Sequence, residues 1–209
     1  PHRPPGGTAV VTWVLDNLDL IWDLTLAHLR QSLIAIVLGL VIALPIGWAA
    51  WRYTTLRGPV LTTIGLLYTI PSLGLFALLA AAGVPLISET NLIVALTIYG
   101  VAIMTRSVTD GLESVDPATR DAAIAVGYGP WRRFWTVDLP LSGPVLLAGL
   151  RVTATSTISL ATVGVLIGQS NLGYLFTNGF QRRIVPEILA GVVAVVVIAL
   201  VIDMLLVLA

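Results

Sequence analysis

The order of apolar and polar residues predicts a chain that crosses a membrane several times. A helix rises about 1.5 Å per residue, so about 20 apolar residues cross a 30 Å hydrocarbon core. Five stretches meet or approach that length, and the third is short enough to need help from its flanks. They are predicted at 29–50, 60–82, 92–107, 145–167 and from 188 to the end.

The stretch before the first span has a different pattern. Asp16, Asp19 and Asp23 recur at roughly helical spacing with apolar residues between them. This predicts an amphipathic helix over 12–27 that lies on the membrane or along the bundle; the alternative is that these residues extend the first span. Residues 1–11 are predicted to be a flexible tail. The fold class is therefore all-α, a polytopic membrane helix bundle with five core transmembrane helices and an N-terminal amphipathic helix, in one domain over 12–209.

Composition supports a membrane setting. Hydrophobic residues make up 57% of the chain and charged residues 11%, whereas a soluble domain carries about 25% charged residues. The net charge is zero, which argues against a nucleic-acid partner. The chain has no cysteine, so disulfide and thiol chemistry are excluded within it.

Arginine positions orient the predicted spans. Arg52 and Arg57 lie in the first loop, and Arg106, Arg120, Arg132 and Arg133 lie in the third. These two loops share a side, which the positive-inside rule makes cytoplasmic. Two arginines in the fourth loop oppose the assignment and are outnumbered by the six. The segment 168–186 is then external, and Arg182, Arg183 and Glu187 are predicted to give it a charged rim for a docking partner.

The cytoplasmic loop over 109–140 is internally organised. Asp116-Pro117 is a helix-start signal, and Gly127 is predicted to end that helix in a left-handed conformation. Gly129-Pro130 starts a second short helix rich in aromatic and basic residues, and Leu139-Pro140 is predicted to break the chain before the fourth span. The loop lacks catalytic or metal-ligating clusters. It is suited to docking on another protein; the alternative is a solvated loop whose aromatic residues lie among lipid headgroups.

The spacing within this loop resembles the EAA loop of the permease subunits of ABC importers. That loop reads Glu-Ala-Ala, three residues, Gly, nine residues, Ile, one residue, Leu-Pro. The chain has Asp121-Ala122-Ala123, then Gly127, then Val137-Asp138-Leu139-Pro140 at the same intervals. From about His28 onwards it is also similar to the glycine betaine/carnitine/choline branch, through 68–73, 144–151 and 167–173, although the last lacks the expected run of glycines.

The resemblance implies the type I ABC importer permease fold and a multi-pass subunit of a prokaryotic cell membrane. With a second, homologous or identical permease subunit, it would form the path for a small osmoprotectant such as glycine betaine, choline or carnitine. Two ATPase subunits and an extracytoplasmic substrate-binding protein would complete the importer. Carried over from the family, Asp121, Ala122, Ala123 and Gly127 would form the coupling turn. The other residues predicted for the ATPase-coupling loop are Tyr128, Trp131, Arg132, Arg133, Leu139 and Pro140.

The chain is not predicted to be an enzyme or to hold a cofactor. It has no Gly-rich phosphate loop, and all eleven basic residues are arginine. ATP and Mg would therefore bind a partner ATPase. The alternatives are a permease for another small solute such as ergothioneine or an amino acid, a secondary transporter, for which inverted repeats are not evident, a membrane enzyme, and a non-transporting scaffold.

Polar residues within the spans are candidates for the translocation path or gate. Pro71 predicts a bend that lines the path or a packing kink, and hydroxyl residues of the fourth span predict either helix packing or pore lining. No clear cluster of Trp or Tyr is evident for a quaternary ammonium cage, so solute recognition is predicted on the separate binding protein. The candidates are Tyr68, Pro71, Ser72, Thr155, Ser159, Asn171 and Leu172.

Overall fold

The fold is that of a computed structural model, which describes residues 7–208. The described residues form helices and turns without a β-strand, as the sequence predicted. The α-helices are α1 (Gly7–Asp16), α2 (Leu18–Arg52), α3 (Thr54–Thr69), α4 (Ser72–Ala81), α5 (Glu89–Glu113), α6 (Pro117–Ala125), α7 (Pro130–Arg133), α8 (Leu139–Leu141), α9 (Gly143–Ala161), α10 (Gly173–Arg182) and α11 (Val185–Leu208). A π-helical turn (Phe134–Asp138) separates α7 from α8, and a 3₁₀-helix (Thr162–Ile167) extends α9.

Four helical stretches of the described chain are long and apolar enough to cross a membrane. They are α2, α5, α11 and the run Gly143–Ile167. The prediction of five spans holds when α3 and α4 are counted together as one span, the second in chain order. The third span takes in its flanks, as predicted for the short apolar stretch over 92–107, because α5 has 25 residues. Several hydroxyls along it are satisfied within the helix, as Thr109 Oγ1 donates to the Thr105 carbonyl at 2.9 Å.

The second span is not the single helix that its hydropathy predicted. α3 and α4 differ in direction by 106° across a short break. Pro71 causes the break, because it lacks an N–H group and forces the preceding residue out of helical geometry. Ile70 is accordingly extended, with φ −65° and ψ 126°.

The N-terminal prediction was right about a helix before the first span and wrong about its bounds, and the alternative, that these residues extend the first span, holds for 18–27. The tail at 1–6 lies outside the described residues, but 7–11 belong to α1, which packs along α11. Residues 18–27 are not a separate amphipathic helix, because they continue into the first span as part of α2. Asn17 marks the interruption, and its side chain donates to the Trp13 carbonyl at 2.8 Å.

Contacts between residues divide the chain into two compact units. The first joins the residues up to Ile36 with Pro71–Thr97 and with those from Ala154 onwards. The second joins Val37–Ile70 with Ile98–Thr153. α2, α5 and α9 contribute residues to both units, so the division does not test the prediction of one domain.

Each unit has its own apolar core. In the first unit, Phe76, Leu96, Ile158 and Leu172 are fully buried. In the second, Ala43 of α2 packs with three residues of α5, which are Met104, Val108 and Leu112. In contrast, most large side chains of α11 are exposed valines, leucines and a methionine. An apolar surface of this kind is expected on a helix that faces lipid.

Candidate functional site

The turn after α6 has the backbone that its sequence predicted. The Asp116 side chain accepts from the Ala118 amide at 2.9 Å and caps the helix above Pro117. Gly127 has φ +86°. The amides of Tyr128 and Gly127 donate to the carbonyls of Ala123 and Ile124, at 3.0 and 2.9 Å. These two bonds form a Schellman cap, in which glycine takes the left-handed position.

The loop has two helical arms, which are α6 before this turn and residues 130–141 after it. The second arm remains helical up to α9. The predicted break at Leu139-Pro140 is wrong, because α7, the π-helical turn and α8 follow one another without a loop. The Leu139 amide donates to the Phe134 carbonyl five residues back. This wider turn lets Pro140 enter the first turn of α8, where its missing N–H group has little consequence.

A buried carboxylate holds the two arms together. Asp138 is 1% exposed and accepts from Arg120 Nε at 2.8 Å and from Arg133 Nε at 3.2 Å, one on each oxygen. Arg120 comes from α6 and Arg133 from α7, so one side chain connects both arms. Two cations on one carboxylate offset its loss of hydration through charge-assisted hydrogen bonds. We call Asp138, Arg120 and Arg133 the ionic cluster.

The ionic cluster also fixes the turn to the end of α5. Arg120 donates to the carbonyls of Leu112 and of Val115, the latter at 3.0 Å. Its guanidinium lies 4.8 Å from the centre of the Trp51 ring, at the end of α2. Leu112 and Trp51 belong to the core of the second unit. A displacement of the turn would therefore be transmitted to α2 and α5.

The outer side of the two arms is apolar and exposed. Val126 is 73% exposed and Trp131 is 74% exposed, while Ile124 and Trp135 are about half exposed. The rings of Trp131 and Trp135 meet edge to face, with centroids 5.7 Å apart. Arg132 lies 4.3 Å from the centre of the Tyr128 ring at the margin of this surface. Large aromatic side chains exposed together are typical of a surface that another protein covers.

The predicted coupling residues divide between this surface and the chain's own fold. Asp121, Ala122, Gly127 and Pro140 are exposed and Leu139 is partly buried. Ala123 was predicted as a coupling residue, but it is buried within the chain. Arg133 was expected on the docking face and instead binds Asp138. Both corrections follow from the ionic cluster, which turns one side of each arm inward.

Among the predicted path residues, Tyr68 stands out by its surroundings. It is 53% exposed, and its ring meets that of Tyr99 at 88° with centroids 6.0 Å apart. The Tyr99 hydroxyl donates to the Ile70 carbonyl at 2.6 Å. This bond satisfies a backbone group that the break before Pro71 releases from the helix. Sequence reasoning found no aromatic cluster in the spans, because these two residues are 31 positions apart.

The predicted gate residues Asn171 and Leu172 are fully buried in this chain. Asn171 Nδ2 donates to the Ala161 carbonyl at 2.8 Å and to Gln31 Oε1 at 3.0 Å. Its Oδ1 accepts from the Gly173 amide at 2.8 Å. This apolar segment therefore folds back onto the protein, and the hydrogen bonds of Asn171 hold it there. The gating role of Asn171 and Leu172 stays a prediction.

The other path candidates are distributed over α4 and α9. Pro71 is exposed at the start of α4 and Ser72 is partly buried. Thr155 is partly buried and Ser159 is exposed on α9. In the segment predicted to be external, Arg182 and Arg183 are exposed to solvent or lipid rather than buried in the chain. Glu187 is not part of that rim, because it is 1% exposed and accepts from Asn178 Nδ2 at 2.6 Å.

Sequence reasoning missed the two residues at the centre of the ionic cluster, Arg120 and Asp138. Asp138 occupies the position that the EAA pattern leaves unspecified. A signal was nevertheless present, since Asp138 is the only acid between Asp121 and Glu187 and follows a pair of arginines closely. A lone acid among basic and aromatic residues favours a paired, partly buried position.

Comparisons with known proteins decide the family. A family model described as binding-protein-dependent transport system inner membrane component matches residues 35–209. The chain belongs to this family. The osmoprotectant import permease protein OsmW of Salmonella typhimurium is 30% identical over 94% of this chain and 93% of its own length. The glycine betaine/carnitine/choline transport system permease protein OpuCB of Bacillus subtilis is 32% identical over 84% of this chain and 80% of its own.

The family and the fold agree. A chain of the MetNI methionine ABC transporter, in an inward-facing conformation, superposes with a TM-score of 0.82 over 91% of this chain and 94% of its own. At 20% identity this likeness shows the fold alone. The permease is thus an all-α, multi-pass subunit of the cell membrane with the fold of ABC importer permeases. Its family acts in transport, with a binding protein and an ATPase as the general partners.

Proposed function

We propose that this permease forms, with a second permease subunit, the translocation path of an importer for a small quaternary ammonium osmoprotectant. Two ATPase subunits would bind its cytoplasmic turns, and an extracytoplasmic protein would deliver the solute. Relatives named for osmoprotectant and for glycine betaine, carnitine and choline transport support the solute class. The observation that carries the coupling role is the exposed apolar surface around Gly127, which no other described part of the chain covers.

The ionic cluster explains how such a surface would transmit force. ATP-driven closure of the ATPase pair would move the docked turn. Because Asp138 and Arg120 fix that turn to the ends of α2 and α5, the movement would reach the spans as a rigid-body displacement. The coupling residues that remain exposed, namely Asp121, Ala122, Gly127, Trp131 and Arg132, would make the direct contacts.

The purified permease alone is expected to hydrolyse no ATP, because the chain lacks a phosphate loop and a lysine. Hydrolysis should appear when the partner ATPase is co-expressed and co-purified. In proteoliposomes with the binding protein, ATP should drive uptake of betaine, choline, carnitine or ergothioneine above a vesicle control without ATP. Uptake of none of these solutes, with a solute of another class transported instead, would refute the assigned solute class.

Gly127→Leu is expected to reduce ATP-driven uptake without unfolding the permease. A β-carbon at this position meets no atom within 4 Å, so the chain has room for it. The left-handed backbone with a side chain costs about 1–2 kcal/mol, and the leucine would project into the partner's groove. Uptake by the assembled complex is the measurement, and normal uptake in this variant would contradict the coupling role.

Gly129→Leu is the matched control for this experiment. Gly129 is also exposed with open space around its Cα, but its φ is −67°, which any residue adopts. If only Gly127→Leu loses ATP-driven uptake, the left-handed turn is the critical feature. An equal loss in both variants identifies steric exclusion from the partner's groove instead.

A further inference from the structure

We propose that Tyr68 and Tyr99 form a weak binding subsite for the quaternary ammonium group of the solute, at the carboxyl end of α3. The inference rests on the proposed function and deepens it, because it assigns solute recognition to the permease as well as to the binding protein.

The geometry provides two aromatic surfaces at a right angle. The rings meet at 88° with centroids 6.0 Å apart. Tyr99 is 6% exposed and is held by its hydroxyl on the Ile70 carbonyl, whereas Tyr68 is 53% exposed. A fixed ring beside an accessible ring forms a corner. A cation in such a corner contacts the negative face of at least one ring within the 6 Å range of a cation–π interaction.

The exposed side of Tyr68 is better suited to water than to lipid. Tyr68 lies about 21 Å along the helix axis from Thr54, which is deep within a 30 Å hydrocarbon core. Its hydroxyl makes no hydrogen bond to another described residue. An unpaired phenol hydroxyl in hydrocarbon is costly. The break at Ile70 gives the same indication, since non-helical backbone at this depth is tolerated where protein or water covers it.

The electrostatics favour a cation at this place. The carboxyl end of a helix carries about half a negative charge, and α3 ends at Thr69. Such ends of interrupted helices hold cations in other membrane transporters. No basic residue occurs between Arg57 and Arg106, so no basic side chain of α4 or of the first part of α5 opposes a cation.

The chemistry of the corner selects a methylated ammonium over a metal ion. A quaternary ammonium donates no hydrogen bonds and is satisfied by aromatic faces. A small metal ion instead requires several oxygen ligands, and among the described residues no group of three acidic or histidine side chains is placed to hold one. Since the corner has no carboxylate, it would hold the solute weakly. A site on a translocation path must release its solute, so weak binding fits this role.

The test is equilibrium binding of radiolabelled choline to the purified permease–ATPase complex without the binding protein. Tyr68→Phe keeps the ring and should leave the dissociation constant within about twofold of wild type. Tyr68→Leu removes the ring and should weaken binding about fivefold, the loss of one cation–π contact at an exposed site. Tetramethylammonium should displace choline, and sodium chloride at the same ionic strength should not.

Leu66→Ala is the matched control, because Leu66 is 63% exposed on the same helix and carries no ring. It should bind choline like wild type, and thermal unfolding should show all variants folded. The inference is overturned if the wild-type complex binds no choline, if Tyr68→Leu binds as tightly as wild type, or if Leu66→Ala loses as much affinity. Uptake with the binding protein, measured separately, tells this failure apart from a failure of the proposed function.

Discussion

Asp138→Asn is expected to lower the free energy of unfolding by about 3–5 kcal/mol, the range for removing one partner from a buried ion pair. The substitution keeps the size of the side chain and removes its charge. Arg120 and Arg133, whose side chains are only 15% and 17% exposed, would then face each other without a counterion. Unfolding of the purified permease by heat or denaturant measures the loss, and the fraction of co-purified ATPase shows whether the turn keeps its docking position.

Two further variants separate the ionic cluster from general effects. Asp110→Asn removes an exposed acid from α5, outside the ionic cluster, and should change stability by less than about 0.5 kcal/mol. A triple variant with Arg120→Met, Asp138→Leu and Arg133→Met replaces the whole cluster with apolar side chains. It should regain much of the stability, because replacing buried ions together avoids unpaired charge. Equal stability of Asp138→Asn and Asp110→Asn would show that the carboxylate does not hold the two arms.

Local signals explain why parts of the fold could be predicted from sequence. The caps of α6 involve neighbours in the chain: Asp116 caps two residues ahead, and Gly127 ends the helix by its own backbone preference. Hydropathy similarly predicted the spans, because each must be apolar along its whole length in lipid. It could not separate one helix from two, since Pro71 is compatible with a kink as well as with the observed break of 106°.

The features that sequence reasoning missed depend on contacts between distant residues. Asp138 meets Arg120 across 18 positions, and Asn171 meets Gln31 across 140. Neither pairing follows from helical or strand periodicity, because both depend on how helices pack. The pairing of Tyr68 with Tyr99 is of the same kind. Burial of Glu187 was missed because a charged residue beside two exposed arginines resembles a surface rim, whereas Asn178 of α10 offers it a partner inside.

The bounds of the predicted amphipathic helix were wrong for a local reason. The three aspartates at helical spacing indicated one surface helix over 12–27, and helical spacing alone does not say where a helix starts. Asn17 interrupts the backbone between two of them, so Asp16 ends α1 and Asp19 lies in the first turn of α2. An acid near a helix amino terminus is favoured by the helix dipole. Leu24 is buried and His28 Nε2 binds the Ile158 carbonyl at 3.0 Å, so one side of this part of α2 packs against the protein while Trp22 and Leu26 stay exposed.

Gly173→Ala is expected to destabilise the permease by about 3 kcal/mol, the upper part of the range for an overpacked site. A β-carbon at Gly173 would overlap the carbonyl oxygen of Thr162 and lie 2.8 Å from its carbonyl carbon. Backbone atoms cannot rotate away as a side chain can, so α10 must shift and the bond from the Gly173 amide to Asn171 must lengthen. Gly143→Ala is the control, because a β-carbon at Gly143 meets no atom within 4 Å and should change stability by at most about 1 kcal/mol. Hydrogen exchange of the amides at 168–182, together with thermal unfolding, measures both effects. Protection of that segment unchanged in Gly173→Ala would mean that α10 is not seated against the 3₁₀-helix as described.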